Sequence, residues 1–356
     1  MRKVNLQSGC VALGVVLALG TALPAAADES TTVSGKAFID VTDYDLKNDG
    51  VDSANNGFGL DVKRFYLGVT HVFDDTWSAN ITTDFNYVGN DGETQLFIKK
   101  AYVQAKLSDA FVGRVGSADL PWVPYVEDLY GYRYVENVLV DRLKFGTSAD
   151  WGLHAGGKAA DGMFSYAASV VNGGGYKNPT RSNSMDFEGR IAFVPVKGLN
   201  LALGGYSGKL GKDVEGTTTP VQHTAQRIDA LVAWVNGPLR VGGEYFQAQD
   251  WTQVTAVASD KGDGFSLWGS YNLNDRWSVF ARGDSAKPSK DLHPDLKDEY
   301  FNVGVASHPR KNIDFALVYK HEKVDGGGTW STSNGTIGGV DEGKLDEVGV
   351  WAQVAF

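Results

Sequence analysis

The ten residues EVGVWAQVAF, 347–356, decide the reading of this chain. Val348, Val350, Ala352, Val354 and Phe356 fall on one face, while Glu347, Gly349, Gln353 and Ala355 fall on the other. Successive side chains of a strand point to opposite faces of its sheet, so this is a strand with one apolar and one mixed face. It stops on an aromatic residue, as a strand does that closes a barrel and docks with the assembly machinery of an outer membrane.

The same alternation recurs back along the chain. It predicts strands at 31–45, 57–73, 77–89, 93–107, 110–117, 142–158, 163–172, 184–196, 198–208, 223–236, 239–249, 263–273, 276–286, 297–308, 312–324 and 344–356. Connections after even strands are tight and made of turn formers, as in Asp74-Asp75-Thr76, Ser108-Asp109, Asn236-Gly237-Pro238 and Asn274-Asp275. Those after odd strands are longer. A soluble sandwich would alternate too, but has no reason to sort its turns by parity; a barrel with both ends in the periplasm does. Phe73, Trp77, Phe111, Trp234, Tyr271, Trp277 and Phe356 gather beside the tight turns, where amphipathic rings suit the headgroup level.

The N-terminal segment fits export. Arg2 and Lys3 precede an apolar run from Val11 to Leu19 and a small-residue site at Ala25-Ala26-Ala27, so residues 1–27 read as a signal peptide and 28–356 as the barrel. The one cysteine, Cys10, lies in that leader, which leaves no disulfide or thiol chemistry in the exported chain. Beyond it there is no run of ~18 apolar residues, so a closed barrel is the remaining way to span a bilayer. Removing Arg2 and Lys3 takes the formal charge from −10 to −12, which argues against a nucleic-acid partner.

The fold class is therefore all-β: a transmembrane antiparallel barrel of about sixteen strands, with a long third loop folded inward. Parity in the third strand sends Trp77, Ala79, Ile81, Thr83, Phe85 and Tyr87 to lipid; in the sixth it sends out Leu143, Phe145, Thr147, Ala149, Trp151 and Leu153. Arg64, Lys100, Lys106, Arg114, Arg142 and Lys144 point into the lumen. The long loop, about 118–141, carries Asp119, Glu127, Asp128 and Arg133 among many aromatics and prolines, which suits packing inside the barrel. A basic wall facing an acidic loop would orient polar solutes, and fixed cations favour anions. Replacing Arg114, Arg142 and Lys144 together by glutamine is then expected to lower anion permeability and leave folding intact. Elsewhere the wall is mixed, with Arg190, Arg227, Arg240, Arg282 and Lys320 among Asp186, Glu188, Asp229, Glu244, Asp284, Asp314 and Glu347.

Gly113-Arg114-Val115-Gly116 leading to Pro121 and Glu127, then Asn172-Gly173, then Gly189-Arg190 ending at Pro195, resembles the pattern of the phosphate-selective porin family of Gram-negative outer membranes. The resemblance implies a homotrimeric, sixteen-stranded passive pore in contact with lipid and lipopolysaccharide, its anion preference set by lumen arginines and lysines. Asp119 and Leu120 stand where that family often has a basic residue before the loop proline, a departure that bears on phosphate itself. Small hydrophilic solutes or inorganic anions are the expected partners, with no cofactor.

Other chemistry finds little support. His71, His154, His223, His293, His308 and His321 are scattered and none sits in a nucleophile motif. Neither His-x-x-x-His nor a cysteine pair is present for a metal. The competing readings are a non-conducting barrel, adhesin-like or hydrolytic, and a sugar-selective pore, which would line its path with aromatics; Tyr66, Tyr102, Trp268 and Trp351 are inward by parity but dispersed.

Overall fold

A computed structural model describes residues 29–86 and 94–356. Residues 1–27, read from the sequence as a signal peptide, lie outside the described residues, as does Tyr87. The elements are β1 (Ser30–Asn48), β2 (Val51–Asp52), β3 (Gly57–Val72), β4 (Trp77–Asn86), β5 (Gln95–Ser108), β6 (Phe111–Asp119), α1 (Val123–Tyr130), α2 (Leu139–Arg142), β7 (Ala149–Ala159), β8 (Phe164–Val171), β9 (Asp186–Phe193), β10 (Leu199–Gly208), β11 (Ala225–Asn236), β12 (Leu239–Gln249), β13 (Lys261–Asn272), β14 (Trp277–Lys287), β15 (Lys297–Arg310), β16 (Ile313–Asp325), β17 (Gly328–Thr332), β18 (Gly335–Gly339) and β19 (Glu342–Ala355). Each long strand pairs antiparallel with its neighbours in sequence, and β1 pairs with both β3 and β19. That last pairing closes a barrel of sixteen strands.

Burial is turned inside out relative to a soluble protein. On β11, Ile228 and Val232 are 59% and 54% exposed, whereas Arg227 and Asp229 are 1% and 3% exposed. The same order holds on β14, where Val279 is exposed and Arg282 and Asp284 are buried. An apolar outside with polar groups inside is what a strand needs when one face meets hydrocarbon. No helix of the described residues is long and apolar enough to cross a membrane. Phe73, Trp77, Phe111, Tyr271 and Trp277 are exposed at the short-turn end, as a girdle requires.

The seam is sealed at that end by Phe356, whose N–H donates to the Gly35 carbonyl at 3.0 Å and whose carbonyl accepts from Gly35 N–H at 2.9 Å. The far end of the Phe356 ring sits against Gly35, where any Cβ would collide with it. At the other end Asp49, in the β1–β2 turn, accepts the N–H groups of Asp341, Val340 and Glu342, which hold its carboxyl below the usual range.

One strand departs from the sequence reading. β7 begins at Ala149 rather than at 142, because residues 139–142 form α2 and Lys144 adopts φ 64°, which no strand tolerates. Leu143 and Phe145 are buried within the barrel instead of facing lipid. Their alternation was that of a packed loop.

Candidate functional site

Residues 120–148 fold into the lumen between β6 and β7. In α1, Pro124 sits in the first turn, where a missing N–H costs nothing, and Gly131 ends the helix at φ 81°. Trp122, Val123, Val126, Leu139 and Leu143 are buried against the β9–β16 half of the wall. Trp122 enters because Gly204 has no side chain; a Cβ there would come 2.5 Å from the indole Cε3.

The wall groups read as mixed in the sequence turn out to hold this loop by its backbone. Arg190 Nε donates to Pro121 O at 3.0 Å, Arg227 Nη1 to Phe145 O at 2.5 Å and Arg282 Nη1 to Asn137 O at 2.5 Å. Arg240 donates to the carbonyls of Asp128 and Leu129. Glu188 and Glu244 accept the N–H groups of Trp122 and Leu139 at 2.9 and 2.7 Å. Buried loop backbone needs such partners, and here side chains of the barrel supply them.

Arg142 is the deepest of these ties and a correction to the sequence reading. Its guanidinium, 0% exposed, reaches Asp284 at 2.8 Å, Asp298 at 2.5 Å and Glu322 at 2.5 Å, and lies over the Tyr300 ring. It pins the loop and is closed to passing ions. The β17–β18 hairpin clips on from above: Ser333 N–H donates to Arg142 O at 2.9 Å, and Trp330 stacks on Phe145 with centroids 5.5 Å apart. Lys320 joins the loop's Glu136 to Glu347 of β19 at 3.6 and 3.3 Å.

The loop thus fills one half of the lumen and leaves the β1–β6 side open. A cavity of about 690 Å³ lies there, between Lys36, Phe38, Tyr66, Lys99, Lys100 and Tyr102 of the wall and Glu127, Asp128 and Arg133 of the loop. Two β-bulges shape its wall. Phe38 pairs with Arg64 and Ile39 with Val62, so Lys63 is an extra residue in β3; Thr82 pairs with Lys100 and Thr83 with Ile98, so Lys99 is an extra residue in β5. A bulge re-aims a side chain. Lys63 consequently reaches the inward Asp40 at 3.3 Å, and Lys99 lies over the Tyr66 ring at 4.6 Å. Strict parity places both on the lipid side.

The other sequence-derived residues are distributed unevenly. Arg64 pairs with buried Asp84 at 2.9 Å, which Tyr176 also reaches at 3.3 Å. Lys100 donates to Asp119 at 2.5 Å, so this loop-base acid serves the wall rather than opposing it. Arg133 spends its charge on Glu127 at 2.5 Å and Asp141 at 3.7 Å within its own loop. Arg114 faces the lumen, with its Nε on Gln104 at 2.7 Å. Lys106 sits at the short-turn rim, paired with Asp109 at 2.9 Å, and Lys144 is exposed above the loop; neither lines the narrow part. Among the described residues that line the cavity, Lys36 and Lys99 have no carboxylate within 4 Å, and on the acid side Asp128 has no cation.

One arrangement was invisible in the sequence. Ser278 Oγ lies 3.0 Å from His308 Nε2, and His308 Nδ1 lies 2.7 Å from Asp314 Oδ1, the order of a hydrolase triad. Ser278, however, is 0% exposed and capped by the Tyr132 hydroxyl at 2.9 Å, so no acyl group can approach its oxygen. The chain instead tethers a constriction-loop tyrosine to the short-turn end. A fluorophosphonate probe is expected to leave Ser278 unmodified in the folded protein by mass spectrometry; its labelling would revive the hydrolytic reading.

No family model and no curated protein matches the sequence. Solved structures do match in shape. An anion-selective porin from Comamonas acidovorans superposes with a TM-score of 0.67 at 14% identity, over 92% of this chain and 100% of that one. OmpT of Vibrio cholerae in its trimer form gives 0.61 at 14% identity, over 92% and 99%. OmpF of Salmonella typhi, in complex with daunomycin, gives 0.58 at 11% identity, over 92% and 97%. Closure and strand number agree with them: this chain has the fold of the Gram-negative outer-membrane porins.

Proposed function

We propose that this protein is an outer-membrane diffusion channel for small hydrophilic solutes, leaning towards small anions. The observation that carries the reading is the cavity left open between the β1–β6 wall and a constriction loop tied down by buried side chains. A fixed loop makes a sieve of fixed width, and width with fixed charge sets what passes. The lean towards anions rests on Lys36 and Lys99, two cations of the cavity lining with no carboxylate within 4 Å, against one such acidic side chain, Asp128, among the described residues. A sugar-selective path is disfavoured because Trp268 and Trp351 are buried behind the constriction loop, which leaves Tyr66 and Tyr102 without a run of rings. The neighbours' fold supports an outer-membrane location, and the trimer form of the Vibrio protein supports three copies here.

Liposome swelling tests the sieve. Vesicles carrying the protein should swell in isosmotic pentose at a rate proportional to concentration and more slowly in a disaccharide. Saturating uptake would contradict passive diffusion.

A further inference from the structure

We propose that Lys99 is the anion seat of the passage and sets its charge preference; the proposal rests on the diffusion-channel reading above. The bulge in β5 turns this side chain inward, and the Ser117 hydroxyl fixes the bulged backbone by donating to Lys99 O at 2.7 Å. The side chain is only 8% exposed and lines the open cavity.

An ammonium has three N–H donors to satisfy. The structure gives Lys99 one oxygen, the Tyr66 hydroxyl at 3.4 Å, and two ring faces, Tyr66 at 4.6 Å and Tyr176 at 5.6 Å. Among the described residues no carboxylate lies within 4 Å of it. Its neighbours differ: Lys63 has Asp40, Arg64 has Asp84 and Lys100 has Asp119. A nearly buried charge without a fixed partner is costly unless a mobile one supplies the balance. The rings hold the ammonium in place by their negative faces without neutralising it.

The ligand this suits is a small singly charged anion, a halide or a carboxylate. One cation without a second clamp holds such an ion loosely, and conduction needs a site strong enough to enter and weak enough to leave. Lys99 is part of the lining of a cavity of only about 690 Å³, and charges act over a Debye length of about 8 Å at physiological salt, so its charge is felt by a solute there.

The test is the reversal potential of the purified protein in a planar bilayer under a potassium chloride gradient, for wild type, Lys99→Gln and Arg114→Gln, with folding checked by heat-modifiable migration. Wild type should favour chloride. Lys99→Gln should lower the chloride-to-potassium ratio by about threefold or more, and Arg114→Gln by less. Should the glutamine variant not fold, Lys99→Cys replaces it, since the only other cysteine lies in the leader. A thiol reagent carrying an ammonium should then restore chloride preference, and one carrying a sulfonate should reverse it. A chloride-preferring wild type with an unchanged ratio in folded Lys99 variants would overturn this assignment and leave the channel reading standing. A wild type without chloride preference would overturn the anion reading and the assignment together.

Discussion

Arg142→Leu is expected to free the constriction loop. The substitution leaves Asp298 and Glu322 buried beside one another with no cation, while Asp284 keeps Arg282 at 2.7 Å, and breaking a buried ion pair from one side costs about 3–5 kcal/mol. The barrel ladder does not depend on Arg142, so the loss falls on the loop: its anchored segment detaches and water reaches the acids. In single-channel records this should appear as larger and noisier conductance, and in limited proteolysis as new cleavage within residues 120–148. Adding Asp298→Asn and Glu322→Gln should recover part of the lost anchoring, because the repelling charges then disappear with their partner. Conductance and proteolysis identical to wild type would show that the guanidinium contributes nothing to holding the loop.

Removing the loop altogether should have the larger effect on flow. Asp119 and Ala149 are register partners, and Leu120 N–H donates to Ser148 O at 3.0 Å, so the loop leaves and re-enters the wall as a hairpin would. A two-residue Asn-Gly turn in place of residues 121–147 suits that geometry. The acids and arginines now packed against the loop would face water in a wide lumen. Conductance should rise at least about threefold, because a barrel of sixteen strands encloses a broad aqueous channel once nothing fills it. A folded deletion variant with unchanged conductance would mean that the loop is not the narrowest part.

Much of this was legible in the sequence, for a physical reason. Lipid on one face and water on the other impose a two-residue period on every strand, so β11, β12 and β19 were readable to within a residue or two at their ends. The constriction loop was readable as well, since Trp122, Tyr130, Tyr132 and Tyr134 make no sense in a solvated loop. What failed was what depends on contacts far along the chain. Arg142 finds its three acids more than a hundred residues away, and nothing local distinguishes residues 142–148 from a strand. The bulges, by contrast, did leave a trace. Lys63-Arg64 and Lys99-Lys100 are adjacent cations in otherwise alternating strands, and strict parity would bury one of each pair in hydrocarbon at a cost of about 2–4 kcal/mol. A bulge resolves that conflict, so paired cations within a membrane strand are a signature of one.

The central claim is that the half-filled barrel still conducts. Single-channel conductance of the purified, detergent-solubilised protein in a planar bilayer tests it most directly. Steady, nearly ohmic openings that grow with salt concentration are the predicted result; a correctly folded protein that inserts and passes no current would contradict it.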